Sequence, residues 1–200
     1  NLWPEEPTGL RETLEEYHSN LTVLSKKLMS VFALALNLNE QYFDNKIDKT
    51  GAHIRLNKYP RQETPPAPEQ LRSGAHTDYG TLTFLYGEDT PGGLQVMRTD
   101  GYWIDVHPRP GSFVVNIGDS MARWTNDHWL STLHRVINPP REYASSERLS
   151  VAFFHAVNYD AEIRCLESCK SKDNPARYEP VHYAAYYIDK LMKSRQTVNV

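Results

Sequence analysis

The sequence predicts a mainly β fold of the sandwich or jelly-roll class with helices flanking it, and three observations carry the prediction. From about residue 81 onward, seven short β-prone runs follow one another, at 81–86, 93–97, 102–106, 112–117, 132–137, 149–157 and 161–165. Turn chemistry separates them, as in Asp89-Thr90-Pro91-Gly92-Gly93, Thr99-Asp100-Gly101 and Pro108-Arg109-Pro110-Gly111. Long helical periodicity occurs only near the two ends of the chain. Many short strands at such spacing belong to sandwiches and jelly rolls.

Taken in order, the first element is a helix. Leu10, Leu14, Tyr17, Leu21, Leu24, Leu28, Val31, Ala35 and Leu38 recur at alternating steps of four and three, which makes one apolar stripe. Thr8, after Pro7, is placed to cap its start, and residues 37–39 to end it. Glu12, Glu15, Lys26 and Lys27 fall on the outer side, so this is a scaffold helix packed on a sheet. A shorter helix follows at about 40–45.

From Ala52 the period changes to two. Ile54 and Leu56 point one way, and His53, Arg55, Asn57 and Tyr59 the other. In a half-buried strand the polar set would face solvent, whereas in a small barrel it would line a pocket. The proline-dotted stretch 60–68 is a surface loop. Gly118-Asp119-Ser120 opens a short helix through Arg123, with Asp119 or Ser120 as cap. A closing helix over 182–193 carries Tyr183, Tyr186, Tyr187, Ile188, Leu191 and Met192.

Composition bounds the function classes. With 200 residues, 40 % of them hydrophobic, the chain has material for one domain with a sizeable core. A formal net charge of −3 offers no basic footprint for nucleic acid or an anionic membrane. No apolar run reaches membrane-spanning length and no signal-like stretch opens the sequence. Cys165 and Cys169 are too few for a disulfide framework and read as structural thiols. The expectation is a soluble, cytoplasmic protein whose partner is a small molecule.

The chemistry centres on Gly74-Ala75-His76-Thr77-Asp78-Tyr79-Gly80. On an extended strand, His76 and Asp78 leave the same face roughly 6–7 Å apart and can reach one small cation. His134, in the apolar run after the turn-like Thr125-Asn126-Asp127, is the best candidate to complete the set. Two imidazoles and a carboxylate form the facial triad that holds non-haem ferrous iron with positions left open, although three-ligand zinc hydrolases use similar donors. Fourteen residues on, Arg148-Leu149-Ser150 puts a guanidinium and a hydroxyl on one strand face, a receptor for a carboxylate. A dicarboxylate chelating iron at a keto-acid end and reaching Arg148 with its other end would satisfy both sites. Trp124, Asp127 and Trp129 would either pack the loop that carries them or form a lid over the pocket mouth.

The order His76-x-Asp78, about 55 residues, His134-Arg135-Val136, then Arg148-x-Ser150 resembles the 2-oxoglutarate and Fe(II)-dependent dioxygenases of the isopenicillin N synthase-like group. Gly92-Gly93-Leu94-Gln95-Val96, Trp103-Ile104-Asp105-Val106, Asn57-x-Tyr59-Pro60, and the run from Pro110 to Asp119 that includes Asn116-Ile117-Gly118-Asp119 agree with that group's recurrent phrases. The likeness is dense over about 52–160. It implies a double-stranded β-helix, the jelly-roll or cupin-like core, in which His76, Asp78 and His134 bind Fe(II). It further implies that Arg148 and Ser150 bind the distal carboxylate of 2-oxoglutarate, with Asn57 and Tyr59 near that co-substrate. By strand parity Phe154 becomes a wall of the pocket, and Arg55 meets an acidic group on the prime substrate.

The activity so implied is O2-dependent hydroxylation, desaturation or cyclisation of a small organic metabolite. Residues 1–200 would be a single catalytic domain lacking the family's usual N-terminal segment. Three other readings stand beside it: a 2-oxoglutarate-independent ferrous oxidase that uses Arg148 and Ser150 on the substrate's own carboxylate, a non-catalytic jelly-roll binding module, and a zinc hydrolase. Against the last, no Glu is placed as a base near His76.

Overall fold

The structure, a computed structural model, describes residues 1–196, with the side chains of residues 195 and 196 excepted. The chain opens with α1 (Leu10–Ala35) and the short α2 (Asp44–Ile47), then winds through β1 (His53–Tyr59), β2 (Ser73–His76), β3 (Leu82–Gly87), β4 (Leu94–Met97), β5 (Trp103–Asp105) and β6 (Val114–Ile117). After α3 (Asp119–Trp124) come β7 (His134–Val136), β8 (Arg148–His155), the small pair β9 (Glu162–Ile163) and β10 (Val181–His182), and α4 (Tyr183–Gln196).

Eight strands form two four-stranded sheets, ordered β1-β8-β3-β6 and β2-β7-β4-β5, with every pairing antiparallel. Because the chain passes repeatedly from one sheet to the other, the two wind as a double-stranded β-helix. Their inner faces enclose a cavity. The outer face of the first sheet carries the core: Phe84 and Phe153 are buried there with Leu21, Met29 and Ala33 of α1. Trp124 packs on Phe43, with ring centroids 4.8 Å apart.

Several details differ from the sequence reading, each for a physical reason. The buried positions of α1 are Leu21, Ser25, Met29 and Ala33, whereas Val31 is 56 % exposed. A strict four-three alternation repeats every 3.5 residues and an α-helix every 3.6, so the predicted stripe drifts about 20° per heptad and by Val31 has rotated off the sheet. Gly9, in a left-handed conformation, precedes the helix in place of a Thr8 cap, the Thr8 hydroxyl being turned to the Glu6 carboxylate, which also accepts from the Thr8 amide. At the far end Asn37 adopts φ 57°, with Leu38 N–H on Ala33 C=O at 2.9 Å and Asn37 N–H on Leu34 C=O at 3.0 Å, the double closure of a Schellman motif.

The short helix expected at 40–45 forms at Asp44–Ile47, and α3 takes Gly118 as its N-cap with no side-chain cap at all. Its first amides are instead taken by the metal-ligand candidate loop: Asp119 N–H bonds Asp78 C=O at 2.7 Å, and Ser120 N–H bonds Gly80 C=O at 3.0 Å. A Cβ on Gly118 would collide with the Gly80 carbonyl, so this approach requires glycine. Two strands, β2 and β10, have too little apolar patterning to be read in advance. Trp124, Asp127 and Trp129 pack the loop rather than covering a pocket mouth: Trp124 is 1 % exposed, Trp129 meets Phe32 edge-on, and Asp127 accepts from Tyr178.

Candidate metal centre

β2 ends at His76, so His76 and Asp78 do not share a strand as spacing had suggested. Their convergence comes from the turn after β2, held against α3 by the two amide bonds described above. β7 pairs with β2 so that His134 lies directly across from His76. The imidazole centroids are 4.3 Å apart, and the Asp78 Oδ1 atom lies 4.0 Å from His76 Nε2 and 3.7 Å from His134 Nε2. One ligand atom from each residue falls within 4.8 Å of the others.

Each member is oriented by a further bond. His76 Nδ1 faces Gly74 C=O at 2.8 Å and His134 Nδ1 faces Thr132 C=O at 3.0 Å, so each ring donates through Nδ1 and turns the Nε2 lone pair to the common point. Asp78, 6 % exposed, accepts on Oδ2 from Thr83 Oγ1 at 2.6 Å and from Asn116 Nδ2 at 2.8 Å. Oδ1 is left for the imidazole side. Among the described residues, no hydrogen bond engages Oδ1 or either Nε2. Partial burial holds His76 below its ordinary imidazole value, so the ring is neutral at physiological pH and free to ligate. Three converging, unsatisfied donors of this type fit a first-row divalent cation that keeps its opposite face open.

The β1–β8 pairing settles the choice between solvent and pocket for the polar face of β1. Asn57 lies opposite Ser150, Tyr59 opposite Arg148 and Arg55 opposite Ala152, and all six side chains line a cavity of about 110 Å³ that also contains the triad. Asn57 Nδ2 reaches Ser150 Oγ at 3.4 Å. Arg148 is 2 % exposed, its guanidinium is 5.3 Å from the Tyr59 ring centroid, and its Nε has no hydrogen-bond partner. No carboxylate pairs with it among the described residues. A buried, unpaired guanidinium costs several kcal/mol unless an anion joins it, and the open side of Arg148 faces the cavity.

Phe154 and Arg55 also line this cavity, with the Arg55 guanidinium 5.7 Å from the Phe154 centroid. Every residue singled out for the site from sequence is therefore gathered at one place. What sequence reasoning missed is the pair Thr83 and Asn116, which sit opposite one another on β3 and β6. Asn116 stood in the phrase Asn116-Ile117-Gly118-Asp119, but nothing local links it to Asp78.

Residues 50–157 match the 2OG-Fe(II) oxygenase superfamily. A homoarginine-6-hydroxylase of Oryza sativa subsp. japonica is 38 % identical over 198 residues, covering 96 % of this chain and 58 % of the relative. A homoarginine-6-hydroxylase of Arabidopsis thaliana is 42 % identical over 175 residues, 86 % of this chain and 52 % of the relative. Among solved structures, a full-length Neurospora crassa protein in complex with alpha-KG and thymine superposes with a TM-score of 0.88 at 32 % identity, covering 96 % of this chain and 60 % of that one. The chain thus spans between half and three fifths of the length of these relatives. On its sequence match, its fold and the geometry of its site the chain belongs to the 2OG-Fe(II) oxygenase superfamily.

Proposed function

We propose that this chain catalyses the Fe(II)- and 2-oxoglutarate-dependent oxidation of a small organic molecule. The observation that carries the reading is Arg148: a guanidinium 2 % exposed, without an anionic partner, in the same cavity as the triad. His76, Asp78 and His134 hold the iron. Arg148 and Ser150 receive the distal carboxylate of 2-oxoglutarate through charge-assisted bonds, with Asn57 and Tyr59 completing that end of the cavity. Phe154 and Arg55 stand on the prime-substrate side. When bound, iron and 2-oxoglutarate supply an oxidant at the expense of dioxygen, with 2-oxoglutarate leaving as succinate and carbon dioxide.

The protein's share is orientation and exclusion of water. Leu85, Leu94, Val96, Val114 and Val136 line the same cavity, so the polar groups at the triad and at Arg148 share it with an apolar wall. The His76 and His134 rings, each held through Nδ1, turn their Nε2 atoms to the common point, and Asp78 supplies the carboxylate of the ligand set. Whether the substrate is hydroxylated, desaturated or cyclised depends on which of its C–H bonds is held toward the iron.

We take residues 1–200 as one catalytic domain, since both sheets share one cavity and α1 packs on the same core. No helix among the described residues is long and apolar enough to cross a membrane. A cytoplasmic setting is supported by Cys165 and Cys169, which are free thiols, and cell fractionation tests it.

The experiment is a screen for substrate-stimulated succinate formation coupled to oxygen uptake, with Arg148→Gln alongside. Succinate formation that requires Arg148 is expected. Oxygen consumption without any turnover of 2-oxoglutarate would support the oxidase that uses Arg148 on its own substrate instead.

A further inference from the structure

His76 and Asp78 of the triad line two cavities. The first holds Arg148; the second, of about 180 Å³, shares Arg55, His76, Asp78 and Phe154 with the first. Its remaining walls come largely from the loop after β2 and from α4, notably Tyr79, Tyr187 and Leu191. We propose that this second cavity seats the molecule to be oxidised and selects a single-ring compound bearing a carboxylate. The inference rests on the reading that iron sits at the triad and 2-oxoglutarate in the first cavity.

Size sets the first limit. A dry cavity of about 150 Å³ accepts benzene, so about 180 Å³ has room for a six-membered ring. The walls set the second. Phe154 has His53 stacked on it at 5.0 Å and 25°, while Tyr79 and Tyr187 meet edge to face at 5.9 Å, which leaves ring faces and edges for a planar guest.

Charge sets the third limit and decides the class. Arg55 makes no hydrogen bond or ion pair among the described residues, and its one ring contact is Phe154. Among the described residues the only carboxylate lining either cavity is Asp78, which the metal would engage. Lys190, which approaches Tyr79, is already paired with Asp119 at 3.0 Å. An anion entering beside Phe154 therefore finds a guanidinium, whereas a cation finds no acid. Homoarginine, the substrate in the names of two relatives, carries both a carboxylate and a guanidinium and has no ring, so it serves as the comparison in the test.

The test compares three molecules of one shape and different charge, benzoate, benzamide and benzamidine, together with homoarginine. Each is titrated into the protein loaded with Fe(II) and 2-oxoglutarate under anaerobic conditions, with binding read by ligand NMR. Titration of 2-oxoglutarate into the Fe(II)-loaded protein, before any ring compound is added, is the first step. Benzoate is expected to bind most tightly and benzamidine least. Arg55→Gln is expected to weaken benzoate by about 10- to 100-fold, the range of one bond to a charged group, and to leave benzamide unchanged.

The proposal is overturned if benzamidine or homoarginine binds and benzoate does not, or if Arg55→Gln leaves benzoate affinity as it was. Arg55 is an exposed strand residue, and a thermal melt of the variant that matches the parent's is the control for the fold. If 2-oxoglutarate binds but no ring compound does, the substrate class is wrong and the oxygenase reading stands. If 2-oxoglutarate itself does not bind, both fall together.

Discussion

Thr83→Val is expected to weaken metal binding at the triad by about 10- to 100-fold, although Thr83 touches no metal. Its hydroxyl donates to Asp78 Oδ2 at 2.6 Å, and Asn116 Nδ2 donates to the same oxygen at 2.8 Å. These two bonds hold the carboxylate plane so that only Oδ1 meets the imidazoles. Valine fills the space of threonine, so the cavity penalty is small and the change is confined to one hydrogen bond. A bond to a charged group is worth roughly 1.5–3 kcal/mol, and losses of about 10- to 100-fold follow removal of such outer partners.

Both scales agree, because tenfold is about 1.4 kcal/mol. The assay is a titration of Co(II) into the metal-free protein, read by its ligand-field absorption, with the melting temperature of the metal-free protein as control. Thr83→Ser, which keeps the hydroxyl, restores affinity. A Thr83→Val protein that binds Co(II) within twofold of the parent, with an unchanged spectrum, would refute the reasoning and show that Asp78 needs no clamp.

Other perturbations separate stability from function. Arg148→Met removes a buried charge that has no protein partner, so the metal-free protein should melt at the same temperature or higher, while the stabilisation by saturating 2-oxoglutarate, about 2.7 kcal/mol at 100 times the dissociation constant, disappears. A fall of about 3–5 kcal/mol would instead mean that a buried pair had been broken. His134→Ala should abolish Co(II) binding and leave the cooperative melt in place; retained binding would remove His134 from the centre.

Burial pulls His155 down to about 4 from 6.5. The unfolded chain takes up a proton there that the folded chain refuses, so stability falls as pH drops from about 6.5 to about 4, by roughly 3 kcal/mol, and levels off below. Urea unfolding of His155→Gln across that range should show a correspondingly flatter pH dependence, and parallel curves for the two proteins would count against it.

Much of the site was legible because it depends on parity. Residues two apart on a strand share a face whatever lies around them, so Arg148, Ser150, Ala152 and Phe154 on β8, and Arg55, Asn57 and Tyr59 on β1, could be assigned to one side before any coordinates existed. Helix ends were less legible. Thr8 had the chemistry of a cap, but its hydroxyl found Glu6, and Asp119 stood at a helix start while its carboxylate went to Tyr186 at 2.8 Å and Lys190 at 3.0 Å. A side chain's competing partners are set in space, and a residue type lists only what it is able to bind.

Sequence alone determined the strand-rich class, the three side chains offered as metal ligands and the arginine that awaits an anion, since these follow from short-range periodicity and the ordered spacing of a few chemical groups. Tertiary structure decided which face of β1 became interior, how the turn after β2 carries Asp78 to two imidazoles, and that Thr83 and Asn116 reserve one carboxylate oxygen. Those outcomes join residues far apart in sequence, His76 with His134 and, 93 positions apart, Asn57 with Ser150, through strand pairings whose register is fixed only when both sheets close around the cavity.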